Sequence, residues 1–196
     1  SYCGVVGFKP SQGAVPLDGV LAMSPLVDSI GILGVSVAVV DAVYRAVADD
    51  VPSADDGAGA QEAGSVAVLR SPWWPDADRS SRGALAVAAQ HADELGFRSE
   101  DAAEVPWLEN LIADQWQVVY AGIASWVVND SGAPLDSFGP EIRSIVERNR
   151  STGSDVVDEA EARIVSCRSR VEEIFQGRDF IITPCVAGEA PEGLMS

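Results

Sequence analysis

The chain has 196 residues, with 30 acids against 13 bases, a formal net charge of −17, 47% hydrophobic residues and 22% charged ones. That length suits one domain or part of a larger one, and the apolar content excludes intrinsic disorder, which needs low hydrophobicity together with high charge. The charge also makes a bare phosphate backbone a poor partner, because binding it needs clustered Lys and Arg. No nucleic acid is therefore expected as a partner.

The longest apolar stretch, residues 30–40, is too short to span a bilayer and contains Gly31 and Gly34, so no membrane partner is expected. No basic segment followed by a cleavage site opens the chain, and no signal peptide is expected. Lys9 is the only lysine among the 13 basic residues. An acid excess with so little lysine suits a halophile, where concentrated salt screens the self-repulsion, and equally suits an acidic bacterial surface. The three cysteines, Cys3, Cys167 and Cys185, are odd in number and far apart. They suggest neither a disulfide frame nor a metal site, which fits a reducing cytoplasm.

Along the chain, residues 1–28 are rich in Gly and Pro and read as short extended pieces joined by turns. Ser36 can cap a helix that carries Val37, Val40, Val43, Tyr44 and Val47 on one side. Residues 49–64 read as an acidic exposed loop, in which Asp55 and Asp56 are solvated. Residues 65–70 read as a strand, and a helix from about Ser81 turns Leu85, Ala88, Ala89, Ala92 and Leu95 inward. Gly96 supplies its left-handed stop, and residues 97–105 return as a strand. Strand, helix, strand in that order implies a parallel or mixed sheet.

Pro106 opens a third helix that runs to about Val128 and is apolar almost all round, which predicts an interior position. Residues 136–148 form a short amphipathic helix. Ser154 then caps a helix with Val157, Ala160, Ile164, Cys167, Val171 and Ile174 on one face. Glu159 with Arg163, and Arg168 with Glu172, are predicted ion pairs on its wet side. Gly177 ends it, and residues 179–184 read as a buried strand that leaves the sheet at Pro184.

The first 45 residues carry a more specific signal. The run CGVVGFKPSQGAVPLDGVLAMSPLVDSIGIL resembles the stretch just downstream of the nucleophile in amidase-signature hydrolases. Those enzymes read C-G-x-x-G-x-K-P-[ST]-x-G-R-V-P, then D-G-V, then S-x-x-D-x-[VI]-G-P. Cys3, Gly4, Gly7, Lys9, Pro10, Ser11, Gly13, Val15, Pro16, Asp28 and Gly31 match in one register. Ala14 stands where the family has Arg, and Ile32, Val35 and Val39 replace a Pro, an Arg and an Asp. Replacing an ion pair by apolar packing leaves a fold intact.

The resemblance implies an α/β fold with a mixed β-sheet flanked by helices, incomplete in this chain. Residues 1–48 are then the post-nucleophile motif and helix, 49–64 the loop, and 65–196 the α/β middle region. It implies a hydrolase of a carboxamide C–N bond acting on a small-molecule amide, without metal or organic cofactor, and it admits a homodimer for the intact enzyme. The family's nucleophilic Ser, its second Ser on a cis peptide and its Lys base all align upstream of Ser1. These 196 residues are thus expected to be an inactive internal piece with no catalytic residue of their own. Lys9 matches the structural Lys-Pro position near the core, not the base. Cys3 is expected to be buried and inert.

His91 lacks a nucleophile elbow anywhere in the chain, so a surface or boundary position is expected for it. Gly4-Val-Val-Gly7 is too sparse for a phosphate loop. For the acyl-side pocket, Trp116 and Tyr120 on the long helix and Thr183 in the 183–194 loop are the candidates, against core packing for the two aromatics. Two other classes remain open: the amidotransferase component that draws ammonia from glutamine for aminoacyl-tRNA, and a non-catalytic binding module on the same scaffold.

Overall fold

Val66, Ala67, Val68 and Leu69 form a run that only a strand buried on both faces can satisfy, and in a computed structural model they are the core of one. The structure describes residues 3–49 and 64–190; most of the predicted acidic loop, and Leu194, lie outside them. This strand, β3 (Ser65–Val68), is central in a parallel sheet ordered β4-β3-β5, with β4 at Arg98–Asp101 and β5 at Phe180–Ile182. Ser65 pairs with Arg98 and Val68 with Asp101; on the other side Val66 pairs with Phe180 and Val68 with Ile182.

The β3–β4 crossover is helix α2 (Arg79–Glu94), capped by Asp78, whose Oδ1 accepts the Ser81 N–H at 2.8 Å. It therefore begins two residues earlier than the sequence suggests. Leu85 and Ala92 are buried, but Leu95 is 77% exposed: it is the C-cap residue, and the chain is already turning into Gly96 at φ 90°. Two further strands, β1 (Val6–Phe8) and β2 (Ile32–Gly34), form a separate antiparallel ribbon. Helix α1 (Val37–Val47) follows, with the predicted Ser36 cap accepting the Val39 N–H at 3.3 Å. Val40 is its buried residue, whereas Val37, Val43 and Val47 are exposed, because this ribbon and helix offer only one covered side.

The remaining helices are α3 (Leu111–Asn129), α4 (Pro140–Asn149), α5 (Ser154–Ser169) and the short α6 (Val171–Phe175). Pro106 begins a separate 3-10 turn rather than α3 itself. The single helix expected from Ser154 to Gly177 is broken at Arg170, the N-cap of α6, and ends in Gln176 at φ 48° and Gly177 at φ 79°. The break removes the i,i+4 relation of Arg168 to Glu172. Arg168 Nη2 instead donates to the Leu26 carbonyl, and Arg170 pairs with Glu173 at 2.8 Å.

The chain divides into two compact units. One comprises the residues up to Lys9, Gly31–Glu109 and those from Arg170 onward; the other comprises Pro10–Ile30 and Asn110–Ser169. The first holds the strands, and its core gathers Leu69, Val105 and Ile174 with Trp107 and Ile181. The second is built on α3. One cluster joins Val118, Ala160 and Ile164 to Leu26 and Val27; the other joins Ala124, Val127 and Val146 to Trp126 and Phe138. Expected to be interior all round, α3 buries one side and leaves Ile112, Trp116 and Val128 exposed, since α4, α5 and the 10–30 segment do not encircle it. Among the described residues no helix is long and apolar enough to cross a membrane.

Candidate functional site

The Gly- and Pro-rich motif is a set of turns locked by polar side chains. Gly4 and Gly13 have φ of 63° and 82°, which a residue with a Cβ adopts only under strain. Gln12 Nε2 donates to the Pro25 carbonyl at 2.6 Å. Asp28 Oδ2 accepts the N–H groups of Met23 and Ser24 at 2.7 and 2.8 Å. Pro10, Val15 and Ser24 are buried beneath these ties. A side chain at Gly7 would press on Leu33 across the ribbon, at 3.3 Å from its Cβ. Pro16 is half-buried and Gly31 follows directly on the motif loop, one residue before β2. Cys3 is exposed, contrary to the expectation that it is buried, and Lys9, expected near the core, is exposed too. They flank a two-stranded ribbon too thin to enclose them.

At the carboxyl end of the parallel sheet, the segments after β3, β4 and β5 converge. A cleft of about 510 Å³ there is lined by Arg70, Trp74, Asp101, Glu104 and Pro106, among others. Arg70 closes one side of it, bonded to Asp101 at 2.8 Å and lying 5.7 Å from the Trp74 ring centre. Arg82 lies against the same ring at 5.3 Å. Thr183, directly after β5, is exposed at this end and is not among the residues that line the cleft. The loop it opens continues through Pro184 and Cys185 and is tied to the start of α2 by hydrogen bonds from Asp78, Ser80 and Ser81.

The other two predicted pocket residues lie in the α3 unit. Trp116 and Tyr120 stack at 5.2 Å with 27° between their planes, and Arg148 sits 5.9 Å from the Tyr120 ring. Trp116 is 52% exposed and Tyr120 half-buried, so core packing does not account for the outer ring. Nearby on the same helix is a pair that sequence reasoning missed. Asp114, 6% exposed, receives Arg163 in a fork: Nη2 to Oδ1 at 2.7 Å and Nε to Oδ2 at 3.0 Å. These hydrogen bonds raise the Arg163 pKa above its usual value, with Glu159 at 3.7 Å adding to the effect. The signal was available: one carboxylate on a helix apolar almost all round requires a cation from another element.

His91 is exposed and shares a 2.9 Å hydrogen bond with Glu94 one turn along α2, which makes it a surface residue. Among the described residues no group of three or more His, Cys, Asp or Glu could hold a metal ion.

The family model described as Amidase matches residues 1–194 of this chain. Over 201 residues the chain is 27% identical to AmiC of Mycobacterium leprae (strain TN), an amidase by name, covering 96% of this chain and 42% of that protein. A shorter similarity, 43% over 47 residues, links it to a component of the mitochondrial glutamyl-tRNA(Gln) amidotransferase of Ajellomyces capsulatus, covering 24% of this chain and 9% of that protein. A crystal structure of an amidase superposes with a TM-score of 0.82 at 21% identity, over 97% of this chain and 42% of the other. A 6-aminohexanoate cyclic dimer hydrolase in complex with its substrate gives 0.76 at 19% identity, over 97% and 45%. The chain thus spans about two fifths of the length of the longer relatives it matches.

Proposed function

The chain belongs to the amidase family, and we propose that the intact protein hydrolyses the C–N bond of a small-molecule carboxamide. The observation that carries this reading is the family match from residue 1 to residue 194. The reaction we assign is acyl transfer to a serine. The Ser attacks the carbonyl while a second Ser, on a cis peptide, takes its proton toward a Lys. Backbone N–H groups hold the oxyanion, the amine leaves protonated, and water releases the acid. Neither metal nor organic cofactor takes part in it. We place that triad in sequence outside these 196 residues, a reading consistent with a chain that spans 42% of AmiC.

In this scheme the chain contributes scaffold and candidate substrate-side residues in each unit, Trp116 and Tyr120 in one and the loop from Thr183 in the other. Assaying the full-length protein for acid and ammonia release against a panel of amides tests the activity, and no turnover on any amide would reject it. Residues 1–196 alone should show none; turnover by this segment would overturn the placement of the triad. In the intact enzyme Trp116→Ala should raise KM about tenfold with little change in kcat, and an unchanged KM would remove Trp116 from the pocket.

The 47-residue similarity to an amidotransferase component favours a second reading, in which ammonia from glutamine is passed to an acceptor. Hydrolysis of glutamine in preference to other amides, stimulated by a partner protein, would select it.

A further inference from the structure

Neighbouring parallel strands end on the same side of a sheet, and ligands of α/β folds bind in the crevices outside those ends. The turn after β3, which leads into α2, and the loop after β5 both leave the sheet there. They are joined by three hydrogen bonds. The Asp78 N–H donates to the Ala187 carbonyl at 2.7 Å. Ser81 Oγ donates to the Val186 carbonyl at 3.0 Å, and Ser80 Oγ donates to Glu189 Oε1 at 2.7 Å. Ser81 is 8% exposed, so its bond is shielded from competing water.

The contact is also steric. A Cβ on Gly188 would stand 2.6 Å from Asp78 Oδ2 and 3.0 Å from its Cγ. That carboxylate cannot swing aside freely, because its Oδ1 caps α2 through the Ser81 N–H. Asp78 is therefore fixed by the helix, and the loop is fixed by Asp78.

We propose that Asp78, Ser80 and Ser81 are positioning residues that set the shape of the 183–190 loop and thereby determine which amides the site accepts. This rests on the amide-hydrolase reading and on the loop forming a pocket wall. The start of α2 touches no substrate in this scheme; it acts by holding the Val186 and Ala187 carbonyls and the Glu189 carboxylate.

The test uses the full-length enzyme with Ser81→Ala and Gly188→Ala, and Gly83→Ala as the control, since nothing lies within 4 Å of a Cβ there. Both strap variants should speed deuterium exchange across residues 185–190. They should raise KM for the preferred amide about fivefold or more, keep kcat within about twofold and flatten the ranking among amides. Gly83→Ala should change none of these. Unchanged KM and ranking in both strap variants would overturn the proposal, whether or not the loop exchanges faster. Should Gly188→Ala fail to fold, the exposed Ser80→Ala takes its place with the same criteria. If the wild-type enzyme cleaves no amide, the amide-hydrolase reading fails and the selectivity role falls with it. Wild-type activity with indifferent variants rejects the strap alone.

Discussion

Asp114 shows how one side chain constrains two helices. A carboxylate on the buried side of α3 is tolerable only with its charge met and its lone pairs filled, and the Arg163 fork does both. Arg163→Met should lower the melting temperature more than Arg45→Met, since Arg45 meets Asp41 on an exposed helix face at 2.9 Å. Adding Asp114→Leu to Arg163→Met should recover part of the loss; no recovery would mean that the arginine matters for something other than neutralising that carboxylate. Val146, 1% exposed between Ala124 and Val127, is the neutral counterpart. Val146→Ala should cost about 2 kcal/mol in urea unfolding, from lost burial and the cavity left behind. Gly122 is needed for another reason, since a Cβ there would overlap the Met23 carbonyl. The motif loop can approach α3 that closely only because the position is bare.

Between elements, Asp179 joins β5 to β3. Its Oδ2 accepts the Ser65 N–H at 2.7 Å and the Ser65 hydroxyl at 3.2 Å, which holds its pKa below the ordinary carboxylate value. A lowered folded pKa means that the unfolded chain binds the proton more readily. The contribution is therefore present above the unfolded value near 4 and is lost as pH falls through the lower folded value. Asp179→Asn should reduce stability at neutral pH and flatten the decline below about pH 4; parallel curves for the two proteins in denaturant titrations from about pH 2 to 7 would contradict this. At the start of α1, Ser36→Ala should cost about 1 kcal/mol by removing the acceptor of the Val39 N–H. These two effects differ in kind. The cap was legible because donor and acceptor are three residues apart, whereas Asp179 and Ser65 are 114 apart and nothing in either segment announces the other.

At the scale of the whole molecule the net charge of −17 governs the response to salt. We expect the melting temperature to rise between about 0.1 and 2 M KCl, as screening reduces repulsion among the carboxylates. A fall over that range would count against halophily and leave an ordinary acidic surface. The family was legible at the same scale, and from few positions. Gly4, Gly13, Pro10 and Asp28 matter through turns, burial and a carboxylate tie that core packing alone would not demand. The division into two units was not legible, because each draws on segments separated along the chain.

The sequence by itself determined what depends on near neighbours. It determined the strand β3, from the apolar run Val66 to Leu69; the stops at Gly96 and Gly177, from glycine's tolerance of positive φ; and the start of α1, from a hydroxyl three residues before its donor. Tertiary structure alone decided which apolar faces find a cover, and so Leu95 and Val37 are exposed although their periodicity matches that of Leu85 and Val40. It decided as well that Asp114 meets Arg163, that Ser81 holds the Val186 carbonyl and that Ser80 holds the Glu189 carboxylate. Those partners are brought together by the paths of α2, α3 and α5, and a one-dimensional pattern carries no record of the distance between two such paths.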